Sequence, residues 1–407
     1  MKSIIIWGTK YVGQETFKIL QEYQELQVIA FGDNDPKQWG KTCCGKIIIS
    51  AEEVLKLKDL DGIVIAASSK YVAEIYAGLA DMVEVPIYRD VYELISMRAS
   101  IDISGWCNAQ CKWCATGKKN RSGVLAEHTY ISLERFKKIY EHLLEINILY
   151  KFNEILLYDW GEPFLNPDCM NILEYLSQNN QIYSMSTNAS ILKLAQKPGI
   201  YKQCRTFIFS MPGFSQESYD KIHGFSFEKI KSNIKAYIEN IRKFGFEGEA
   251  ILSYHVYQFN IKEIPMARAF AESLGIKFVP IYAYFADFEL MEEYIMDKMP
   301  QETRKEAEQE LVLQHVPRLL KGRPDNFRCL VENMISVNTN GQIELCCCAG
   351  QEKKDYIWGS VFELKSYGEW RKMRETMLVS ETCKLCRKMG VDYWIFNNPS
   401  FEEKANA

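Results

Sequence analysis

The chain has 407 residues, 47% of them apolar, which is enough for two or three domains with substantial cores. Its net charge is −4 with acidic and basic residues interspersed, so no basic patch points to nucleic acid and no basic amphipathic stretch to a membrane. Thirteen cysteines in a long chain without a secretory signal argue against a disulfide framework and for reduced thiols and metal ligation in the cytoplasm.

The opening run, Met1 to Gly8, is too short for a signal or a membrane span and reads as a first β-strand. Residues 1–97 alternate strand and helix. Strands are expected at Ser3–Trp7, Gln27–Phe31, Gly62–Ala67 and Val85–Tyr88, with a first helix from Gln14 to Glu22. Such alternation implies a doubly wound parallel sheet. Ligands of these sheets sit at the carboxyl ends of the strands, where Gly8, Gly13, Asp33 and Ser68 would fall. The free N–H groups of a helix starting after Gly13 can take phosphate, and Asp33 stands about 20 residues past the glycine turn, where a ribose-binding acid is expected. Lys10 replaces the middle glycine of Gly-x-Gly-x-x-Gly. Binding of a nucleotide and a purely docking role both stay open. The segments Ile4–Gly8 and Phe31–Pro36 resemble the N-terminal domain of bacterial sugar acetyltransferases, which implies a Rossmann-like domain for a nucleotide sugar.

Cys107, Cys111 and Cys114 follow in the arrangement Cys-x-x-x-Cys-x-x-Cys, after the strand-like run Ala99–Ser104 and Gly105. Three thiolates this close can hold three irons of a [4Fe-4S] cluster and leave the fourth iron to an external ligand. Zinc is the alternative reading, although its sites usually combine Cys-x-x-Cys pairs. The segment resembles the signature of the radical S-adenosylmethionine (SAM) superfamily. That resemblance implies SAM chelated at the open iron, a 5′-deoxyadenosyl radical that removes hydrogen from the substrate, and Trp113 set against the adenine. It also implies an external electron donor such as flavodoxin or ferredoxin.

From Ala99 to about Tyr284 strand and helix repeat. Strands are expected at Ser100–Ser104, Glu154–Trp160, Gln181–Ser186, Thr206–Met211, Ala250–Val256 and Lys277–Tyr282. Helices are expected at Leu133–Leu144, Cys169–Ser177, Phe227–Phe244 and Ile264–Leu274. Six units suit a partial (β/α)6 TIM-like barrel, whose active groups cluster at the carboxyl ends of its strands. Trp160-Gly161-Glu162-Pro163 resembles the family's Gly-Gly-Glu-Pro motif, with Trp160 in place of the first glycine. Gly161 would permit close approach, and Glu162 would accept from the SAM ammonium. Ser186-Thr187-Asn188-Ala189 resembles the Thr-Asn turn, which sets Ser186 and Asn188 toward SAM. Ser210-Met211-Pro212-Gly213 resembles the Ser-x-Asp-Gly segment, with Ser210 as the polar contact.

A charged helical linker, residues 286–325 with Glu302–Leu320 its clearest helix, leads to a small cysteine-rich α+β region, residues 326–407. Cys329 precedes an expected hairpin, Met334–Asn338 and Ile343–Cys347, turned at Asn340-Gly341. A helix over Ser366–Met377 precedes Cys383-x-x-Cys386. The pattern resembles the SPASM extension and implies one auxiliary [4Fe-4S] cluster on Cys329, Cys346, Cys383 and Cys386, with Cys347 able to replace Cys346. A zinc ribbon is the alternative. Cys347 and Cys348 are candidate hydrogen donors to a substrate radical. His128, His142, His223, His255 and His315 are scattered, and Tyr158, Tyr254 and His255 stand near strand ends.

The reading is thus an α/β enzyme in four parts, residues 1–97, 98–285, 286–325 and 326–407. It would be a radical SAM oxidoreductase or epimerase of a sugar, aminocyclitol or nucleotide-linked sugar. A maturase for a ribosomally made peptide and a non-catalytic cluster protein are the alternatives.

Overall fold

Two sets of strands assemble into two separate sheets, both largely parallel. The computed structural model describes residues 1–122, 129–312, 329, 331–347 and 356–389. Among these, no helix is long and apolar enough to cross a membrane.

The first sheet contains β1 (Lys2–Trp7), β2 (Leu26–Gly32), β3 (Thr42–Cys43), β4 (Lys46–Ile49), β5 (Gly62–Ile65) and β6 (Ile87–Tyr88), in the order β3-β4-β2-β1-β5-β6. All pairs are parallel except the β3–β4 hairpin. Ile4, Ile5 and Ile6 of the central β1 are wholly buried, as expected where a parallel strand is covered on both faces. The four expected strands are present. The hairpin is an addition, turned through Cys44 and Gly45, both at positive φ. The first helix spans Tyr11–Leu20, three residues earlier than the glycine spacing suggests.

The compact unit around this sheet is discontinuous in sequence: Met1–Arg98, Tyr140–Asn153 and Phe362–Thr376. Its segments are tied by buried polar groups. The Tyr88 and Tyr150 hydroxyls lie 2.8 Å apart, and Tyr367 donates to Glu93 Oε1 at 3.1 Å. Arg371 Nε lies 3.1 Å from the same oxygen, with both side chains nearly inaccessible.

The second unit comprises Ala99–Ile139, Glu154–Val361 and Met377–Ala407. Its sheet has nine strands: β7 (Arg98–Ile101), β8 (Glu154–Leu156), β9 (Tyr183–Thr187), β10 (Cys204–Met211), β11 (Glu249–Val256), β12 (Lys277–Tyr282), β13 (Met334–Val337), β14 (Gln342–Glu344) and β15 (Ile357–Ser360). The order is β12-β11-β10-β9-β8-β7-β13-β14-β15, so the six expected strands lie side by side in chain order. β8 to β12 pair in parallel, whereas β13, β14 and β15 form an antiparallel continuation at the β7 edge. The intervening helices are Leu133–Glu145, Cys169–Gln178, Phe227–Lys243 and Ile264–Ser273, each within a residue of expectation.

Four strands end two or more residues sooner than expected, β5 at Ile65, β14 at Glu344, and β7 and β8. β7 stops at Ile101 because the Asp102 carboxylate accepts from the Ser104 N–H at 3.2 Å, the local turn that an aspartate favours. β8 stops at Leu156, and Tyr158–Trp160 leaves the sheet. The β13–β14 turn also differs from a two-residue Asn-Gly turn. Gly341 N–H bonds to Asn338 C=O at 2.9 Å, and only Gly341 takes positive φ, so a longer turn ends on a left-handed glycine. The linker helix covers Gln301–Glu310, and the rest of the expected run to Leu320 lies largely outside the described residues. Cys383 and Cys386 lie within a helix, Glu381–Met389, one turn apart.

Replacing Glu93 by Gln leaves the Arg371 charge uncompensated in the first unit. The expected loss is about 3 kcal/mol of unfolding free energy, read from urea denaturation.

Candidate functional site

The cysteine loop is held by backbone contacts. Gly161 packs against the carbonyl of Ser104, and a Cβ at that position would overlap this oxygen. Glu162 N–H then donates to Trp106 C=O at 2.9 Å. On the other side, the helix Ala115–Ser122 begins directly after Cys114. A Cβ on its Gly117 would collide with the backbone of Cys111. Asn120 Nδ2 donates to the carbonyls of Cys107 and Ala109 at 2.6 and 2.7 Å, and Arg121 donates to that of Gln110. Gly117 and Asn120 belong to none of the motifs named above. A glycine inside a helix one turn past the triplet was the available signal.

The three thiols line one cavity of about 250 Å³. Its wall also contains Trp113, Gly161, Glu162, Ser186, Asn188 and Ser210, all singled out by motif. These come from four strand ends that neighbour one another in the sheet. Glu162 is buried. Its carboxylate accepts from Thr187 Oγ1 and Asn188 N–H at 2.8 Å and from Phe164 N–H at 3.2 Å. Burial nevertheless pushes its acid up to about 7. Three of its roughly four lone-pair positions are used, which leaves one for a ligand. The Ser186 and Ser210 hydroxyls lie 3.5 Å apart. Asn188 Nδ2 donates to Asn108 Oδ1 at 3.1 Å and reaches Cys107 Sγ at 3.6 Å. Trp113 is mostly core: it packs edge-on against Phe285 and donates to Glu310 at 2.8 Å.

Burial dominates the chemistry of the thiols. It pushes Cys107 up to about 12, with help from the Glu162 charge, and raises Cys111 and Cys114 as well. Opposing it, N–H groups of Ala109 and Asn188 favour a charged Cys107, and those of Thr116 and Gly117 a charged Cys114. Among the described residues, no three or more His, Cys, Asp or Glu are arranged to hold a metal ion. The three thiols stand around the cavity wall.

His223 and His255, distant in sequence, also line this cavity. Burial lowers them to about 3 and 4, so both are neutral at physiological pH. His223 Nδ1 is buried without a hydrogen-bond partner. Tyr158 lines the wall, whereas Tyr254 is a core residue whose hydroxyl donates to Asn260 C=O at 2.9 Å. Asp159 lines it too and has Asp102 and Glu344 as electrostatic neighbours. Burial raises Asp102 to about 7 and Glu344 to about 8, and it raises Asp159 well above the usual carboxylate range.

Cys329, Cys346, Cys347, Cys383 and Cys386 are partly buried. Cys346 and Cys347 follow β14 and act electrostatically on Asp159. Cys348, His128 and His315 lie outside the described residues.

The first unit has its own cavity, of about 580 Å³, at the carboxyl ends of β1, β2 and β5. Gly8, Lys10, Asp33, Ser68 and Lys70 line it, with the exposed rings of Tyr11 and Tyr71. Asp33 accepts from Thr9 Oγ1 at 2.6 Å and from Asp35 N–H at 3.0 Å. Gly13 is not on its wall. It lies inside the first helix against the Gly8 carbonyl, so it serves helix–strand packing.

Residues 1–89 match a family described as C2185-like, N-terminal. No curated protein matches the chain. Among solved structures, Streptococcus suis SuiB bound to S-adenosylmethionine is 15% identical, with 68% of this chain and 64% of SuiB covered and a TM-score of 0.43. In that SAM-bound structure the chain spans slightly less than two thirds of the SuiB chain. BtrN in complex with AdoMet and 2-DOIA is 13% identical over 73% of this chain and 88% of BtrN, with a TM-score of 0.34. UDP-D-quinovosamine 4-dehydrogenase from Vibrio fischeri is 24% identical over 21% of this chain and 75% of that enzyme, with a TM-score of 0.19.

Alanine normally favours a helix over glycine by about 1 kcal/mol. At Gly117 the sign should reverse: Gly117→Ala and Gly161→Ala should each lose about 3 kcal/mol or more, because backbone must move. Chemical denaturation with circular dichroism checks both.

Proposed function

We propose that the chain is a radical SAM enzyme that removes hydrogen from a carbon of a small polar substrate, a sugar, aminocyclitol or nucleotide-linked sugar. One observation carries the reading: the wall that bears Cys107, Cys111 and Cys114 also bears Glu162, Ser186, Asn188 and Ser210. A lone triplet is compatible with zinc, but a triplet facing these strand-end groups in one cavity suits a cluster that shares its open iron with SAM. The donor set fits. Each thiolate of a four-iron cluster takes its own iron, so thiols spread around a cavity are appropriate, and N–H groups directed at Cys107 and Cys114 stabilise charged sulfur. When bound, the cluster and SAM would supply the 5′-deoxyadenosyl radical.

The protein's own groups hold and shield. The free acceptor position of Glu162 would take the SAM ammonium, and Asn188 would orient Cys107 while meeting the cofactor's polar edge. Ser186 and Ser210 would bond hydroxyls, and Trp113 would offer its cavity-facing edge to the adenine. His223, neutral and with its Nδ1 unpartnered, is suited to a substrate hydroxyl. Oxidation would remove a second electron and the hydroxyl proton, whereas epimerisation would return a hydrogen atom, for which Cys347 and Cys348 are the candidate donors. An auxiliary cluster on Cys329, Cys346 or Cys347, Cys383 and Cys386 would accept the second electron, and a flavodoxin or ferredoxin would supply the first.

The cavity of the first unit supports a nucleotide-linked substrate. Lys10 and Lys70 would meet the phosphates, Asp33 the ribose, and Tyr11 or Tyr71 a base. A maturase acting on a ribosomally made peptide fits the cavity around the three thiols equally well.

Anaerobically reconstituted protein should carry about eight irons per chain if both clusters form, and it should release 5′-deoxyadenosine from SAM with dithionite. Cys107→Ala should abolish release. Stoichiometric zinc without iron, or no cleavage under any reductant, would refute the enzyme reading. A panel of uridine and thymidine diphosphate sugars should raise the melting temperature, with the rise lost in Asp33→Ala. No shift from any of them would leave the first unit without a nucleotide ligand.

A further inference from the structure

Buried side-chain polar atoms normally find a partner, so one that does not needs an explanation. Of the side chains among the described residues that leave such an atom unpaired, two stand on the wall of the cavity around the three thiols. They are Trp160, through its indole Nε1, and His223, through its Nδ1. Trp160 is 8% exposed and His223 3%. Trp160 ends the segment that leaves β8, and His223 follows the short helix Gln216–Lys221. The main chain of Trp160 is already tied down, because its carbonyl accepts from Thr116 Oγ1 at 3.0 Å. Leaving either ring nitrogen unpaired is costly, and a bound ligand would remove the cost. None of the SAM contacts proposed above uses Trp160 or His223. Trp160 stands where the Gly-Gly-Glu-Pro motif has its first glycine, so its indole N–H is an addition made by this chain.

We propose that Trp160 and His223 recognise hydroxyl groups on a polyhydroxylated ring, with Trp160 as a specificity-determining residue for the substrate. This deepens the radical SAM reading and rests on it for the reaction that follows binding. The hydroxyl is chosen by the two unpaired atoms. An indole N–H only donates, so it needs an acceptor. A neutral imidazole nitrogen donates in one tautomer and accepts in the other. A hydroxyl both donates and accepts, so it answers the indole and either form of the imidazole. An ammonium offers the indole no acceptor, and a carbonyl offers no hydrogen to an accepting nitrogen. The rest of the wall suits a ring. Tyr158, Tyr257, Tyr282 and Tyr284 line it, and an aromatic wall with a few placed polar groups is the usual make-up of a small-molecule site. An analogue without hydroxyls would leave both ring nitrogens unpaired, and that penalty is what separates one substrate from another.

The matched probes myo-inositol and cyclohexanol share a six-membered ring and differ in their hydroxyls. Each is titrated into anaerobic full-length protein carrying 15N in its indole groups. Binding is read by thermal shift and by the NMR signal of the Trp160 indole N–H, identified by its loss in Trp160→Phe. myo-Inositol should move that signal saturably and raise the melting temperature by about 1–3 °C near saturation, and cyclohexanol should do neither. Trp160→Phe and His223→Phe should each weaken inositol binding about three- to tenfold. SAM affinity, measured by equilibrium dialysis, should stay unchanged in both. Should Trp160→Phe prove unstable, the thermal shift and His223→Phe decide. N-acetylglycine N-methylamide forms a further arm. Tighter binding of inositol than of the amide supports the proposal, and tighter binding of the amide overturns the polyol assignment. Equal binding of cyclohexanol, or an indole signal that no probe moves, overturns the site. A loss of SAM affinity matching the loss of inositol affinity gives the pair to the cofactor and overturns it too. Release of 5′-deoxyadenosine is measured separately. Inositol binding without release sinks the radical reading alone, and release without inositol binding sinks this proposal alone.

Discussion

The backbone of Gly161 rests on the backbone at Ser104, and the geometry of the cavity depends on that contact. No side chain fits between the two segments, so the loop after β8 and the loop after β7 move as one. The Glu162 N–H bond to Trp106 continues the contact toward Cys107. Opposite it, Gly117 brings the helix after the triplet against Cys111, and Asn120 ties down two carbonyls of the loop. A loop carrying three cysteines would otherwise be among the freest parts of the unit. Here it is fixed by backbone approach, which costs little side-chain entropy and tolerates little change.

The same contact explains why Gly161 and Glu162 belong together. In the motif reading, glycine makes room for a cofactor and glutamate binds it. In the structure, glycine makes room for the chain itself. The glutamate, drawn in behind it, is satisfied by Thr187, Asn188 and Phe164 before any ligand arrives. Its burial ties the ends of β8 and β9 to the cysteine loop. A group fixed in this way is preorganised, so a ligand that uses its last acceptor position meets no conformational cost.

Much of the second sheet was legible because its signal is local. Helices such as Phe227–Lys243 and strands such as Lys277–Tyr282 follow from apolar periodicity and caps, and they appear where the sequence puts them. Strand ends were less legible. β7 and β8 stop where a turn at Asp102 and the docking of Gly161 override apolar runs that continue to Ser104 and Trp160. The Asn340-Gly341 pair marked the right turn but not its type. Gly13 had the spacing of a phosphate loop, yet it lies inside a helix, because the first helix begins at Tyr11 and needs a close approach to Gly8.

By itself the sequence determined the order of strands and helices and which motif follows which strand. It also determined that three thiols lie within one loop, since all of these follow from short-range pattern and spacing. Only the tertiary structure decided which strand ends share a wall. It joined Trp160, His223 and His255 on one wall, although they stand far apart in the chain. It also recruited Tyr140–Asn153 and Phe362–Thr376 to the unit built on the first sheet. The reason is physical. Parallel strands bring their carboxyl ends together whatever lies between them in the chain, and burial then sets the charge state of the groups gathered there. Neither effect leaves a mark in local sequence.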